Sequence, residues 1–324
     1  MPNPTMPRDA SLDATFALLA DPYRFVSRRA RRLRSDAFRT RLGLRPAICL
    51  TGAAAAALFY DAGRFVRRGA APEPLRATLF GKGAVQSLDG QEHLARKAMH
   101  LALMSESRIR ALVDTFTAEL AAATRAWAAR PRVLLYDALQ PVLARSVCRW
   151  AGVPLPHADV PRRTRQLVAL FDEAAGPRHL HARRSREAAE DWLAALIDDV
   201  QAGRLRADPD GALHAVAAFR RPDGTPLQPR IAAVELLNVL RPTVAVAVYV
   251  VFAAHALHVH PEARQRVRTG DPGYLRAFVQ EVRRFYPFFP AVVARVREDF
   301  DWRGLRFPRG TLTLLDLYGT NHDP

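Results

Sequence analysis

The sequence predicts a mainly α protein with a small β element. Apolar residues recur at helical spacing over most of the 324 residues, and residues 230–260 are apolar around most of a helix circumference. Short extended pieces punctuated by glycine gather near the C-terminus.

From the N-terminus, residues 13–33 and 35–42 have amphipathic helical spacing, the first interrupted at Pro22. The AICL segment (47–50) predicts a strand and residues 53–60 a helix. A stretch rich in Gly, Pro and Arg, 63–88, predicts a loop. Helical periodicity resumes over 91–104, 108–130 and 136–151, and Gly152-Val153-Pro154 stops it. Further helices are predicted over 161–174 and 184–202, with a turn at Asp223-Gly224. After the central helix come a helix over 272–285 and extended pieces at 291–296, 300–307 and 311–315. The Arg309-Gly310 step between the last two suits a hairpin.

The central helix carries the most informative pair, Arg241-Pro242. At 1.5 Å per residue this helix would run roughly 45 Å, across a whole domain. A guanidinium at its midpoint keeps its proton and must meet an anion or several carbonyls. Pro242 removes one backbone donor and predicts a kink that frees the carbonyl of Asn238. A fixed positive charge beside a helix distortion in an apolar core is suited to receive a carboxylate.

The net charge of +16 is almost entirely arginine, since Lys82 and Lys97 are the only lysines. Arg28, Arg29, Arg31, Arg32 and Arg34 form one basic run, which reads as a solvated helix face because no nucleic-acid-binding signature accompanies it. The two cysteines, Cys49 and Cys148, form no CxxC pair, so neither a disulfide framework nor a zinc site is expected, and a reducing cytoplasm is. The N-terminus lacks the basic-then-apolar plan of a signal peptide. The longest uncharged apolar run, 243–257, is short for a membrane span and reads as core.

Glu281 and Arg284, three apart, share a helix face and can pair; buried, they would hold two layers together. His93 and Lys97, four apart after an Asp89-Gly90 turn, suit an anionic group, although spacing alone favours two exposed polar residues. Gly81-Lys82-Gly83 lacks the features of a phosphate loop. The histidines at 255, 258, 260, 179 and 181 have no carboxylate at a metal-ligand offset, so no metal site is expected of them. No GxSxG motif is present, and no cysteine lies beside a plausible histidine base.

Eight ordered segments resemble one family, the fatty-acid peroxygenases, a bacterial branch of the haem-thiolate cytochromes P-450. They are SDAFRTRL with AICLTGAAAAALFYD, LFGKGAVQSLDGQEHLARKAM, CRWAGVPL, GPRHLHARRSREAAEDW, ELLNVLRPTVAV, FVQEVRRFYPFFP and LLDLYGTNHDP. The resemblance runs from about Met6 to Pro324. It implies a single cytochrome P-450-like domain over 1–324, incomplete at the C-terminus, with the axial cysteine loop beyond Pro324.

The resemblance also implies roles. Glu281 and Arg284 match the ExxR pair, and His93 and Lys97 the contacts to the propionates of haem b. Gln86 matches a distal position where glutamine accompanies hydroxylation and histidine accompanies more decarboxylation. Arg241, with Pro242 beside it, matches the residue that binds the fatty-acid carboxylate. Ordinary P-450 monooxygenases carry an acid-alcohol pair at that position to deliver protons. Here the bound substrate would supply the acid, taking and returning a proton as hydrogen peroxide is cleaved. Oxidation would fall on the α or β carbon of a long-chain fatty acid, with no reductase or NAD(P)H. The implied protein is cytoplasmic, with no membrane span and no nucleic-acid partner. The alternative is a truncated, non-catalytic remnant that at most binds fatty acid.

Overall fold

The computed structural model describes residues 5–88, 90–174 and 178–323. Two compact units emerge: Met1–Pro72 with Phe252–Pro324, and Glu73–Val251.

The first unit begins with α1 (Thr15–Ala20), α2 (Phe25–Leu33), β1 (Ala37–Leu42), β2 (Arg45–Leu50), α3 (Ala53–Phe59) and β3 (Phe65–Val66). The second unit holds α4 (Glu73–Leu79), α5 (Gly90–Leu103), α6 (Glu106–Trp127), α7 (Leu135–Trp150), α8 (Val160–Asp172), α9 (His179–Gln201) and α10 (Ala212–Ala218). It also holds most of α11 (Pro229–Val259). The chain then completes the first unit with α12 (Pro261–Arg268), α13 (Pro272–Phe285), β4 (Ala291–Val296), β5 (Phe300–Trp302), β6 (Leu305–Phe307), β7 (Leu312–Asp316) and α14 (Leu317–Asn321).

The first unit is organised by a five-stranded sheet in the order β1-β2-β7-β4-β3. The β2–β7 pair is parallel and the others are antiparallel. Residues far apart in sequence therefore meet: Cys49 faces Leu314 in register, and Val293 faces Leu314 from the other side. Helix α13 starts where local chemistry says it should. Asp271 accepts a hydrogen bond of 2.9 Å from the Gly273 backbone, and Pro272 occupies the first turn.

The second unit is a helical layer built on the first half of α11. Ala232, Ala233, Leu236, Leu237 and Leu240 are all fully buried there, against Leu167 of α8, Leu193 and Ile197 of α9 and Leu213 of α10. Fully burying one such leucine contributes about 1.5–3 kcal/mol, so this row alone fixes the helix in place. By length and composition α11 could cross a membrane; the burial of its first half fits a core helix.

The structure corrects the sequence expectations in four places. Residues 35–42 form strand β1, not a helix. Arg34 leaves α2 in a left-handed conformation (φ 50°), and the Phe-Arg-Thr-Arg alternation then buries Phe38 and Thr40 while exposing Arg39 and Arg41. The expected loop over 63–88 contains α4 and β3. The hairpin lies at Arg303-Gly304, joining β5 to β6, whereas Arg309-Gly310 turns the chain into β7 beside β4. Helices α10, α12 and α14, of 7, 8 and 5 residues, are too short for periodicity to mark. Asp89, half of the predicted Asp89-Gly90 turn, lies outside the described residues.

Candidate functional site

Helix geometry places Glu235, Asn238 and Arg241 three residues apart along one side of α11. Arg241 is 8% exposed. Among the described residues its guanidinium has no hydrogen bond and no ion pair, and its Nε is buried without a partner. Burial, and after it the charge of Arg186, push its pKa down to about 10, which leaves it cationic at neutral pH. Pro242 sits inside α11, which continues as helix on both sides, and its side is exposed. The next residue compensates locally: the Thr243 hydroxyl donates 2.9 Å to the Val239 carbonyl.

A cavity of about 260 Å³ lies beside this stripe, lined by Val85, Gln86, His93, Lys97, His100 and Asn238. The structure thus brings three expected residues, Gln86, His93 and Lys97, onto one wall system with Asn238, one turn before Arg241. Neither His93 nor Lys97 has a hydrogen-bonding or charged partner among the described residues. Two uncommitted nitrogen donors at i and i+4 on α5, a histidine and a lysine, present the chemistry that an anionic group needs.

Sequence reasoning missed what holds this wall. Glu235 is fully buried on α11, and each of its oxygens is engaged. Arg96 Nη1 donates 2.8 Å to Oε1 and 2.6 Å to the Gly83 carbonyl, and His100 Nε2 lies 3.0 Å from Oε2. With both oxygens accepting, Nε2 carries the hydrogen. Glu235 therefore ties α5, the Gly83 segment and α11 together. The argument that marked Arg241, a charge inside an apolar helix, applies equally to Glu235 and would have found it.

Arg186 of α9 plays the matching role on the other side of the same segment. It is 3% exposed, donates to the carbonyls of Thr78 (2.9 Å), Leu79 (3.1 Å) and Phe80 (2.9 Å), and pairs with Glu190 at 2.6 Å. Asn238 Nδ2 shares the Phe80 carbonyl at 3.0 Å, which leaves Asn238 Oδ1 buried and unpartnered. Gly81 makes this approach possible. At φ +84° a Cβ there would lie 2.2 Å from Arg186 Nη2 and 2.9 Å from Val234.

Glu281 and Arg284 lie in the first unit. Their pair forms as spacing predicts, with two bonds of 2.8 and 2.7 Å, and it borders a second cavity of about 450 Å³. The pair is not buried: the side chains are 59% and 45% exposed. Only Val282 of α13 is buried, so the face carrying the pair meets solvent. Arg284 also donates to the Asn321 carbonyl, and Asn321 Nδ2 returns a bond of 3.1 Å to the Arg284 carbonyl.

Cys49 and Cys148 are both buried in apolar clusters. Burial raises both thiols, Cys148 to about 12, so neither presents a thiolate.

No protein-family model matches the chain. Solved structures do. Cytochrome P450SP alpha (CYP152B1), in complex with (R)-ibuprophen, is 48% identical; the match covers 97% of this chain and 77% of that one, with a TM-score of 0.92. Cytochrome P450EX alpha (CYP152N1) with myristic acid is 43% identical over 99% of this chain and 77% of that one, with a TM-score of 0.91. A variant of cytochrome P450 OleT in complex with arachidonic acid is 32% identical, with coverages of 99% and 77% and a TM-score of 0.94.

Proposed function

Because the chain belongs to the CYP152 fatty-acid peroxygenases, cytochromes P450 that carry haem b, we propose that it hydroxylates long-chain fatty acids at the α or β carbon with hydrogen peroxide, the substrate carboxylate held by Arg241. The observation that carries this reading is the buried guanidinium with no anion among the described residues. An unpaired charge of this kind costs several kcal/mol to bury, and an incoming carboxylate recovers much of that cost through a bidentate pair. Myristic and arachidonic acid, bound in two of the neighbours, are ligands of that chemistry.

His93 and Lys97 fit the propionates of haem b, being nitrogen donors, uncommitted among the described residues and on one cavity wall. Neither Cys49 nor Cys148, both buried as thiols, would hold its iron. Thiolate-ligated haem supplies peroxide cleavage and oxygen transfer when bound. The residues of this chain do the rest. Arg241 fixes the head group, so the α and β carbons stand nearest the site of oxidation. Arg241 and Pro242 supply no acid, so a carboxylate oxygen of the substrate takes and returns the peroxide proton. Gln86, a neutral amide on the cavity wall, would be the distal polar group of the site. Hydrogen peroxide is itself the two-electron oxidant: one of its oxygens enters the C–H bond, the other leaves as water, and no reductase is needed. We place the protein in the cytoplasm, with neither a membrane span nor a nucleic-acid partner.

The test is Arg241→Ala. Haem absorbance should be retained while peroxide-driven turnover of myristate falls at least about a hundredfold, the order of a lost two-point anchor. Wild-type turnover by this variant would end the assignment. A second reading is acyl binding without turnover. Stoichiometric haem uptake with turnover by the purified chain would exclude it.

A further inference from the structure

Arg241 is buried within the second unit beside other polar groups, yet among the described residues it has no partner. The reason lies in what its neighbours have already taken. Asn238, one turn earlier on the same side of α11, reaches the Phe80 carbonyl at 3.0 Å. The turn that carries Phe80 therefore lies along the side of α11 that Arg241 shares. Its three successive carbonyls, of Thr78, Leu79 and Phe80, are the acceptors a buried guanidinium would seek. All three are claimed by Arg186. Glu190, the carboxylate on Arg186, is also held by Arg230 at 2.9 Å, so it too is committed elsewhere.

We propose that Arg186 is a positioning residue for the carboxylate anchor: by holding the carbonyls of residues 78–80 it keeps Arg241 uncommitted for a ligand's carboxylate. The inference rests on the anchoring role of Arg241. It assigns to a second arginine, on a different helix, the work of keeping the first one ready.

Two physical effects act in the same direction. Without Arg186 the freed carbonyls could turn to Arg241, lowering the free energy of the empty site and hence the affinity for a carboxylate. The positive charge of Arg186 also reaches Arg241 and makes a bound anion more favourable. A merely structural Arg186 would weaken all ligands together. A positioning Arg186 selects for the carboxylate over a neutral head group on the same chain. Gly81 belongs to the same device, because any side chain there would displace the Arg186 guanidinium.

The experiment compares the dissociation constants of myristate and tetradecanol, measured by calorimetry on the full chain. Wild type should prefer myristate, and Arg241→Ala should abolish the preference. Arg186→Gln should cut the myristate preference by roughly tenfold, with tetradecanol changed by less than about threefold. Equal losses for the two ligands, or an unchanged preference, would overturn the proposal. Should Arg186→Gln fail to fold, Arg186→Lys keeps the charge, but its ammonium cannot span three carbonyls and Glu190 together. A preference reduced by about threefold or more supports the proposal, and a wild-type preference overturns it. Failure of the underlying anchor is separable, because Arg241→Ala would then bind myristate as wild type does.

Discussion

Arg96 and Glu235 meet at 2.8 Å beside the second unit's cavity, with side chains 5% and 0% exposed. Glu281 and Arg284 meet at 2.7 Å with side chains 59% and 45% exposed. The two pairs have nearly the same length and should differ greatly in what they contribute.

Glu235→Ala leaves the Arg96 guanidinium buried with only the Gly83 carbonyl and the more distant Glu92 near it. Loss of one partner of a buried pair costs about 3–5 kcal/mol. We expect that loss in urea unfolding followed by circular dichroism. A change under 1 kcal/mol would show that the site is hydrated.

Glu281→Gln should cost under about 1 kcal/mol in the same measurement, because solvent screens an exposed pair. A loss as large as that of Glu235→Ala would mean that the face of α13 is covered in solution.

Gly81→Ala should destabilise the protein more than Gly224→Ala. Both glycines have positive φ, +84° and +82°, so both substitutions bring backbone strain of about 1 kcal/mol. At Gly224 nothing lies within 4 Å of the new Cβ, whereas at Gly81 it meets Arg186 and Val234. The difference between the two unfolding midpoints measures that encounter; equal shifts would place the Arg186 guanidinium elsewhere.

Asp316 is buried, its Oδ2 is unpartnered, and burial raises its pKa to about 6, against hydrogen bonds from Gly319, Ser27 and Thr51 that lower it. The folded state then holds this proton more tightly than the unfolded chain, where the value is 3.8. Stability from this group is therefore greatest below about pH 4 and is lost as pH rises through 6. Asp316→Asn should remove that component. The wild-type-minus-variant difference in unfolding free energy between pH 4 and 7 reads it, and a flat difference would contradict it.

Cys49 and Cys148 should be inert to a thiol reagent at pH 8 in the folded protein and react fully in guanidinium, since burial keeps both protonated. Rapid modification of either thiol without denaturant would show that its cluster opens.

Much of the fold was legible because it follows from local rules. The 3.6-residue period marked α5 through α9, α11 and α13, and Arg241 stood out because a charge inside an apolar helix demands an explanation. The same period misled at 35–42, where two-residue alternation governs, and was silent for α10, α12 and α14, where too few turns exist to show one. What the chain by itself determined is the inventory: an arginine fixed at the middle of a core helix, a histidine and a lysine one turn apart on another, and a glycine on each side of Lys82. What only the tertiary structure decided is which of these charges are spoken for. Arg96 and Arg186 are as basic in sequence as Arg241, but Glu235 answers one and the carbonyls of residues 78–80 answer the other. A charge's partners come from elements more than a hundred residues away, and no local pattern encodes that distance.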